Sequence, residues 1–459
     1  MAPHTLGQPA KTARQIGTGT ALLGVAVVTG LGLRLAPILA SDFPLRDGGL
    51  FVTMASDIRH ASLGLPLFSS FNAGNVPFAY PPLGIYLLAL TPGDPIFTER
   101  WLPLVWSILA IPAAYLLARE ITDEPRAGLA ALIFAAMPVT WAIEGGGVTR
   151  ALALMLLLLA LWRLAVLLRA PGFRNAALAG ALAGLAVLAH PAVGPPGLAS
   201  TAVLFASAPS RRALAFTGLA AAVAALLVAP WIAMVVIRYG LGALVAGGNA
   251  HHTDETLGRL LTIGPSWIGA LDFVLPLALL GLALVLHRRQ WLLPVWLLLL
   301  IAVPGGEARH AAILWAMLAA SGAVTITEAV RPAGALRATA AIGFAWLFVG
   351  SLLAGYVQFH AISAAIRTEM ARAGRETVPG ARFAVVVDDS RLEAMVLDWF
   401  PTISGRISVG TYQGLEWTSV EQSDATVAVN DQIQRGQIPK GTDYVFRISE
   451  GSASWEPAR

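Results

Sequence analysis

The chain of 459 residues has no cysteine. That excludes a disulfide framework, a thiolate nucleophile and any cysteine-based metal site. Charge is also scarce: 13% of residues are Asp, Glu, Lys or Arg, against roughly 25% in an ordinary soluble domain. Lysine occurs only at Lys11 and Lys440, so arginine carries nearly all the positive charge. No glycine-rich phosphate cradle, internal repeat, low-complexity tract or heptad run is present. The net charge is +4, but the basic residues are scattered between apolar segments. This excludes the clustered basic face that a nucleic-acid partner requires. What remains is hydrophobe: 56% of the chain is apolar, the composition of a membrane protein.

Eleven apolar segments qualify as spanning helices: about 16–40, 100–118, 127–142, 150–168, 175–190, 196–208, 213–237, 267–286, 291–304, 310–327 and 338–359. The run P-P-L-G-I-Y-L-L-A-L (81–90) is too short to span and is broken by 91–95; it reads as a helix in the outer interface. With Lys11 and Arg14 inside, alternation places the basic loops 119–126, 167–174, 210–212, 287–290 and 330–337 on the cytoplasmic side. The expectation is therefore a cytoplasmic tail (1–15), a transmembrane domain (16–360) with a large outer loop (41–98), and an extracytoplasmic domain (361–459). That last segment is polar and mixed. R-F-A-V-V-V-D-D (382–389) and D-Y-V-F-R-I-S (443–449) read as strands, and 390–400 as a helix capped by Ser390. The fold class is an all-α polytopic membrane protein with a small α/β extracytoplasmic C-terminal domain.

Chemistry-bearing side chains gather on the outer side: Asp42, Asp47, Asp57, His60, Tyr80, Glu144, Arg150, His190, His251, His252, Asp254, Glu255, Glu307, Arg309 and His310. Ionisable groups beside a bilayer mark functional sites by default. Plainer readings stand beside this one. Asp42 suits a loop cap, and Asp57 with Arg59 and His60 a solvated helix end. Arg150 suits a snorkelling anchor, Tyr80 an interfacial aromatic, and His190 before Pro191 a helix terminus. Glu307, Arg309 and His310 suit a mutual pairing at a helix junction. His251-His252 with Asp254 and Glu255 has metal-capable groups without the helical spacing that zinc sites use, so it reads as a polar loop. No metal ligands are assigned.

The motif D-G-G-L-F-V-T-M-A-S-D-I from Asp47, followed about thirty residues later by Y-P-P-L (80–83), resembles the first outer loop of GT-C glycosyltransferases. The similarity is to the branch holding protein O-mannosyltransferases and lipid A aminoarabinose transferases. T-E-R-W-L-P (98–103), L-A-V-L-A-H-P (185–191), E-G-G-G-V-T-R (144–150) and the stretch 399–417 extend it over most of the chain. The chain departs from the family pattern at three places. Gly48 stands where the family has a second acid, Tyr80 where it has a basic residue before P-P-L, and His190 where it has a lysine.

The resemblance implies an enzyme that moves a sugar from a polyprenyl-phosphate donor to an acceptor hydroxyl at the outer face of the plasma membrane. The acceptor would be a glycan, lipid or protein. Asp47 would be the general base. Arg150, with the helix start after Gly145-Gly146-Gly147, would receive the leaving phosphate. Asp42, Tyr80, Glu144, His190, Arg309, Tyr412 and Gln413 complete the expected substrate contacts. A divalent metal is compatible with the resemblance and not required by the sequence. Three other functions are to be weighed: a lipid-linked glycan ligase or polymerase, a transporter or flippase, and a non-catalytic assembly protein.

Overall fold

The computed structural model describes residues 16–74, 76–249, 274–303, 308–329, 333–449 and 451–458. Each of the eleven apolar segments contains a helix. In chain order the helices are α1 (Ile16–Leu39), α2 (Gly49–His60), α3 (Pro82–Leu90), α4 (Pro95–Ile121), α5 (Glu124–Ala136), α6 (Gly147–Arg169), α7 (Phe173–Ala189), α8 (Gly194–Ser207), α9 (Arg211–Tyr239) and α10 (Leu241–Asn249). They continue with α11 (Val274–His287), α12 (Leu292–Ala302), α13 (Ala308–Ala329) and α14 (Ala333–Gln358). Six described helices are long and apolar enough to cross a membrane, those at Gly17–Leu39, Pro95–Ile121, Gly147–Arg169, Arg211–Tyr239, Ala308–Ala329 and Ala338–Gln358. The rest are shorter and lean on these six. The protein is a polytopic, multi-pass membrane protein.

Small residues let the helices approach closely, as bilayer packing favours. Gly281 of α11 lies against the Leu318 carbonyl of α13, and Gly322 of α13 against the Leu277 carbonyl of α11; a methyl group at either position would overlap the opposing backbone. A buried arginine organises the other half. Arg34 on α1 donates from Nε to Ser107 Oγ (2.7 Å), from Nη1 to the Ala135 carbonyl (2.7 Å) and from Nη2 to Thr140 Oγ1 (3.1 Å), with its guanidinium 5.6 Å from the Trp141 ring centroid.

This arrangement corrects one expected span. The segment at 127–142 ends as a helix at Ala136, because Pro138 lacks an N–H to continue the ladder; the Thr140 hydroxyl then meets the Phe134 and Met137 carbonyls (2.8 Å each). Residues 137–146 then fold back into the bundle, buried, instead of emerging as a loop.

The first loop is built, not floppy. It holds α2, the two-residue strands β1 (Phe68–Ser69) and β2 (Val76–Pro77), and α3, the non-spanning helix expected over 81–90. Asp57 accepts from Ser69 Oγ (2.7 Å) and from the N–H (2.9 Å) and hydroxyl (2.6 Å) of Ser70. Arg59 donates to the carbonyls of Leu88, Ala89, Thr91 and Gly93, closing the C-terminal end of α3. Both residues brace the loop and are more than a solvated helix end.

The C-terminal segment adds α15 (Ala364–Glu376), α16 (Ser390–Ser404) and α17 (Val420–Gln434) to a sheet of four strands: β3 (Arg382–Val387), β4 (Ile407–Ser408), β5 (Tyr444–Ser449) and β6 (Ser452–Pro457). The order is β4-β3-β5-β6, with β3 parallel to both neighbours and β6 antiparallel to β5. A central strand covered on both faces explains the unbroken apolar run Phe383–Val387. Asp389, not Ser390, caps α16 by accepting from the Arg391 N–H.

Candidate functional site

The loop after α1 and the loop after α5 run side by side. Leu45 and Glu144 form a parallel bridge, Gly145 N–H donates to the Leu45 carbonyl (2.8 Å), and Gly146 N–H to the Asp47 carbonyl (3.2 Å). The glycine run 145–147 is packed. A methyl group at Gly145 would overlap the Asp47 carbonyl, one at Gly146 the Arg150 guanidinium, and one at Gly147 the Ala142 carbonyl. Close approach, not mobility, demands glycine here, and it delivers Asp47 to the start of α6.

There Arg150 donates one Nη to Asp47 Oδ2 and the other to Glu144 Oε1 (2.8 Å). Arg309, at the start of α13, lies 3.6 Å from the same Glu144 oxygen. Two acids from two loops and two arginines from the first turns of α6 and α13 thus form one network. Its outer members stay open: the Asp47 side chain keeps 36% of its surface and Arg150 24%, against 7% for Glu144. Burial works to raise the proton affinity of Asp47, but the Arg150 guanidinium outweighs it and, with Arg46 and the Gly146 N–H, holds the carboxyl below the usual range.

A second tier surrounds Gly48. Asp398 of α16, 2% exposed, accepts from the N–H groups of Gly48 (2.6 Å) and Gly49 (2.7 Å) through Oδ2 and of Leu50 (3.2 Å) through Oδ1, capping α2 from 350 residues away. Burial and then the Asp47 charge push its carboxyl up to about 6. On the other side of Gly48 stands the Glu99 carboxylate of α4, fully buried, with neither oxygen hydrogen-bonded among the described residues. Gly48 has φ +151°, and a side chain there would run into that carboxylate. An acid from α4 thus stands where a side chain at position 48 would project.

Tyr80 packs edge-on to Phe51 (centroids 5.1 Å) and against Trp417 (5.3 Å), which in turn meets Trp231 (6.3 Å). Burial, then the nearby Glu416, pushes its phenol above the ordinary range. Burial also pushes Glu416 up to about 7.

Of the expected site residues, the structure brings Asp47, Glu144, Arg150 and Arg309 together and places Tyr80 beside them. His190 ends α7, buried, and His310 is buried in α13. Asp42 lies apart: it pairs with Arg367 (2.5 Å), whose hydrogen bond lowers its proton affinity. Tyr412 and Gln413 belong to the C-terminal segment, Tyr412 against its core and Gln413 donating to the Ala394 carbonyl (3.1 Å). His251, His252, Asp254, Glu255 and Glu307 lie outside the described residues. The sequence reading missed Glu99 and Asp398. An acid two residues before the long apolar stretch of α4 marks Glu99; an acid within the apolar run A-M-V-L-D-W-F marks Asp398.

The sequence profile of the family described as dolichyl-phosphate-mannose-protein mannosyltransferase matches residues 79–234. No curated protein sequence matches the chain. The oligosaccharyltransferase of Archaeoglobus fulgidus, solved with Zn and sulfate, superposes with a TM-score of 0.56 and 14% identity over 93% of this chain and 67% of its own. ArnT from Cupriavidus metallidurans, solved bound to undecaprenyl phosphate, gives 0.51 and 12% over 93% of each chain. The fold of the chain is similar to that of these two enzymes. Within this fold, the first loop and the starts of α6 and α13 carry the charged network. Among the described residues no three His, Asp or Glu side chains gather as metal ligands. Asp47 and Asp398 already commit oxygens to Arg150 and to backbone amides.

Proposed function

We propose that the chain is a glycosyltransferase that takes a sugar from a polyprenyl-phosphate donor and passes it to an acceptor hydroxyl. The observation that carries this reading is the half-open Asp47–Arg150 pair, held by packed backbone at the lip of an apolar bundle. Asp47 takes the acceptor's proton as its oxygen attacks the anomeric carbon. The bond from that carbon to the phosphate oxygen breaks, and lipid phosphate leaves with the electron pair. Arg150 and Arg309 meet the charge that develops on the phosphate.

The resting pair also explains its own activation. While Arg150 grips Asp47, the carboxylate is a weak base. A donor phosphate competes for the guanidinium, and Asp47 regains proton affinity once the donor is seated. The structure of ArnT with undecaprenyl phosphate supports a lipid-phosphate donor by similarity of fold, and the outer face of the plasma membrane is the side we assign to the network.

The test is Asp47→Asn in reconstituted membranes, supplied with polyprenyl-phosphate sugars and assayed for lipid-phosphate release. Loss of a general base typically slows transfer about 10²–10⁴-fold. Full activity with Asn at this position would end the proposal.

A further inference from the structure

Asp47 owes its position to the far end of the chain. Trp399 Nε1 donates to the Arg46 carbonyl (2.8 Å), fixing the peptide unit before Asp47. Asp398 takes the Gly48 N–H (2.6 Å), fixing the unit after it, together with those of Gly49 and Leu50. Thr402 Oγ1 donates to the Gly49 carbonyl (2.8 Å) and contacts Thr53 Oγ1 (2.9 Å). Glu99 closes the opposite side of Gly48, so the segment is wedged between α4 and α16.

We propose that Asp398, assisted by Trp399 and Thr402, is a positioning residue for Asp47, and that the site is competent only while Asp398 is ionised. This rests on the reading of Asp47 as the base. An ionised carboxylate is acceptor-only and can serve all three amides; a protonated one carries an O–H that faces donors alone. Protonation therefore releases part of the grip on residues 48–50.

The groups facing Asp398 are Asp47 from the first loop, Glu99 from α4, Tyr80 from the stretch before α3, and Tyr412 and Glu416 from the stretch after β4. Burial and the Asp47 charge place its proton exchange at about 6, whereas Arg150 keeps Asp47 itself below the ordinary carboxylate range. Glu416, pushed up to about 7 by burial, also exchanges its proton near that window. The raised Asp398 value also means that protonation favours the fold. Competence and stability should thus move in opposite directions as pH falls through 6.

The experiment uses the full chain in lipid nanodiscs. Hydrogen exchange of the peptide 46–52, corrected for intrinsic rates, is followed from pH 8 to 5 beside lipid-phosphate release from polyprenyl-phosphate sugars and the melting temperature. Wild type should lose about tenfold protection and about tenfold turnover across pH 6, with no fall in melting temperature. Asp398→Asn should abolish both steps and lower turnover at every pH, with undecaprenyl phosphate affinity unchanged. Trp399→Phe keeps the ring, removes one N–H, and should loosen 46–52 more mildly. Glu416→Gln should leave the step near 6 in place.

Protection of 46–52 that ignores pH, or a step that survives Asp398→Asn, overturns the proposal. So does turnover that simply follows the melting temperature. A loosened segment with undiminished turnover refutes Asp47 as the base instead.

Discussion

Asp47→Asn should do two opposite things at once. Transfer should collapse, because the amide cannot accept the acceptor's proton. Affinity for undecaprenyl phosphate should rise, because the same change releases Arg150. The size of the second effect follows from the exposure of the pair. An exposed ion pair is worth about 0.2–1 kcal/mol, and a buried one several times more. With 36% and 24% of the two side chains exposed, the upper end of the exposed range applies, about 1 kcal/mol. The glycine-lined backbone around Asp47 does not change, so this converts to about fivefold tighter binding. Glu144 still holds the other Nη of Arg150, which keeps the gain modest. Native mass spectrometry or a fluorescent lipid-phosphate competition assay would measure it in detergent or nanodiscs. Salt should shrink the difference, since the pair is reachable by solvent. Weaker or unchanged lipid-phosphate binding in the Asn variant would refute the competition between carboxylate and phosphate, even if transfer were lost.

Gly145→Ala should reduce transfer about 100-fold with little loss of expression, because the new methyl overlaps the Asp47 carbonyl and displaces the base by a fraction of an ångström or more; turnover by a well-folded variant checks it. Stability should rise as pH falls from 7 to 4, by about 3 kcal/mol from Asp398 alone, the product of about two pH units and about 1.4 kcal/mol each. Asp47, with its opposite shift, should lower stability only below the ordinary carboxylate range, and chemical denaturation at several pH values separates the two. Arg34→Met should lower the melting temperature, since the Ala135 carbonyl and the hydroxyls of Ser107 and Thr140 each lose a buried partner worth about 1–3 kcal/mol. An alkaline phosphatase fusion after residue 458 should be active and one at Arg211 inactive; the reverse pattern would invert the assigned orientation.

The helices were legible because apolar runs of spanning length have few alternatives. The short helix at 82–90 was legible for the converse reason. The break at Ala136 has its local cause in Pro138; the inward course of the residues after it was not legible, since Arg34 binds groups there that lie 101 and 106 residues away. Asp47, Glu144, Arg150 and Arg309 stood out as charges in an apolar chain, and all four meet. Glu99 and Asp398 did not stand out, because their meaning lies in what Gly48 leaves vacant and in backbone amides, neither of which has a spacing in sequence. Tyr412 and Gln413 were chosen for side-chain type, and type alone does not say which way a ring or an amide faces.

The bond from Trp399 to the Arg46 carbonyl joins residues 353 apart. A ribosome must therefore add about 350 residues beyond the loop, and the segment holding Trp399 must fold, before the loop can acquire its working shape. A nascent or truncated chain would hold lipid and sit in the bilayer with its acid untrained on anything. Damage to the tail by a protease would have the same effect, which gives quality control a simple cue: an intact tail and an armed site are one and the same state.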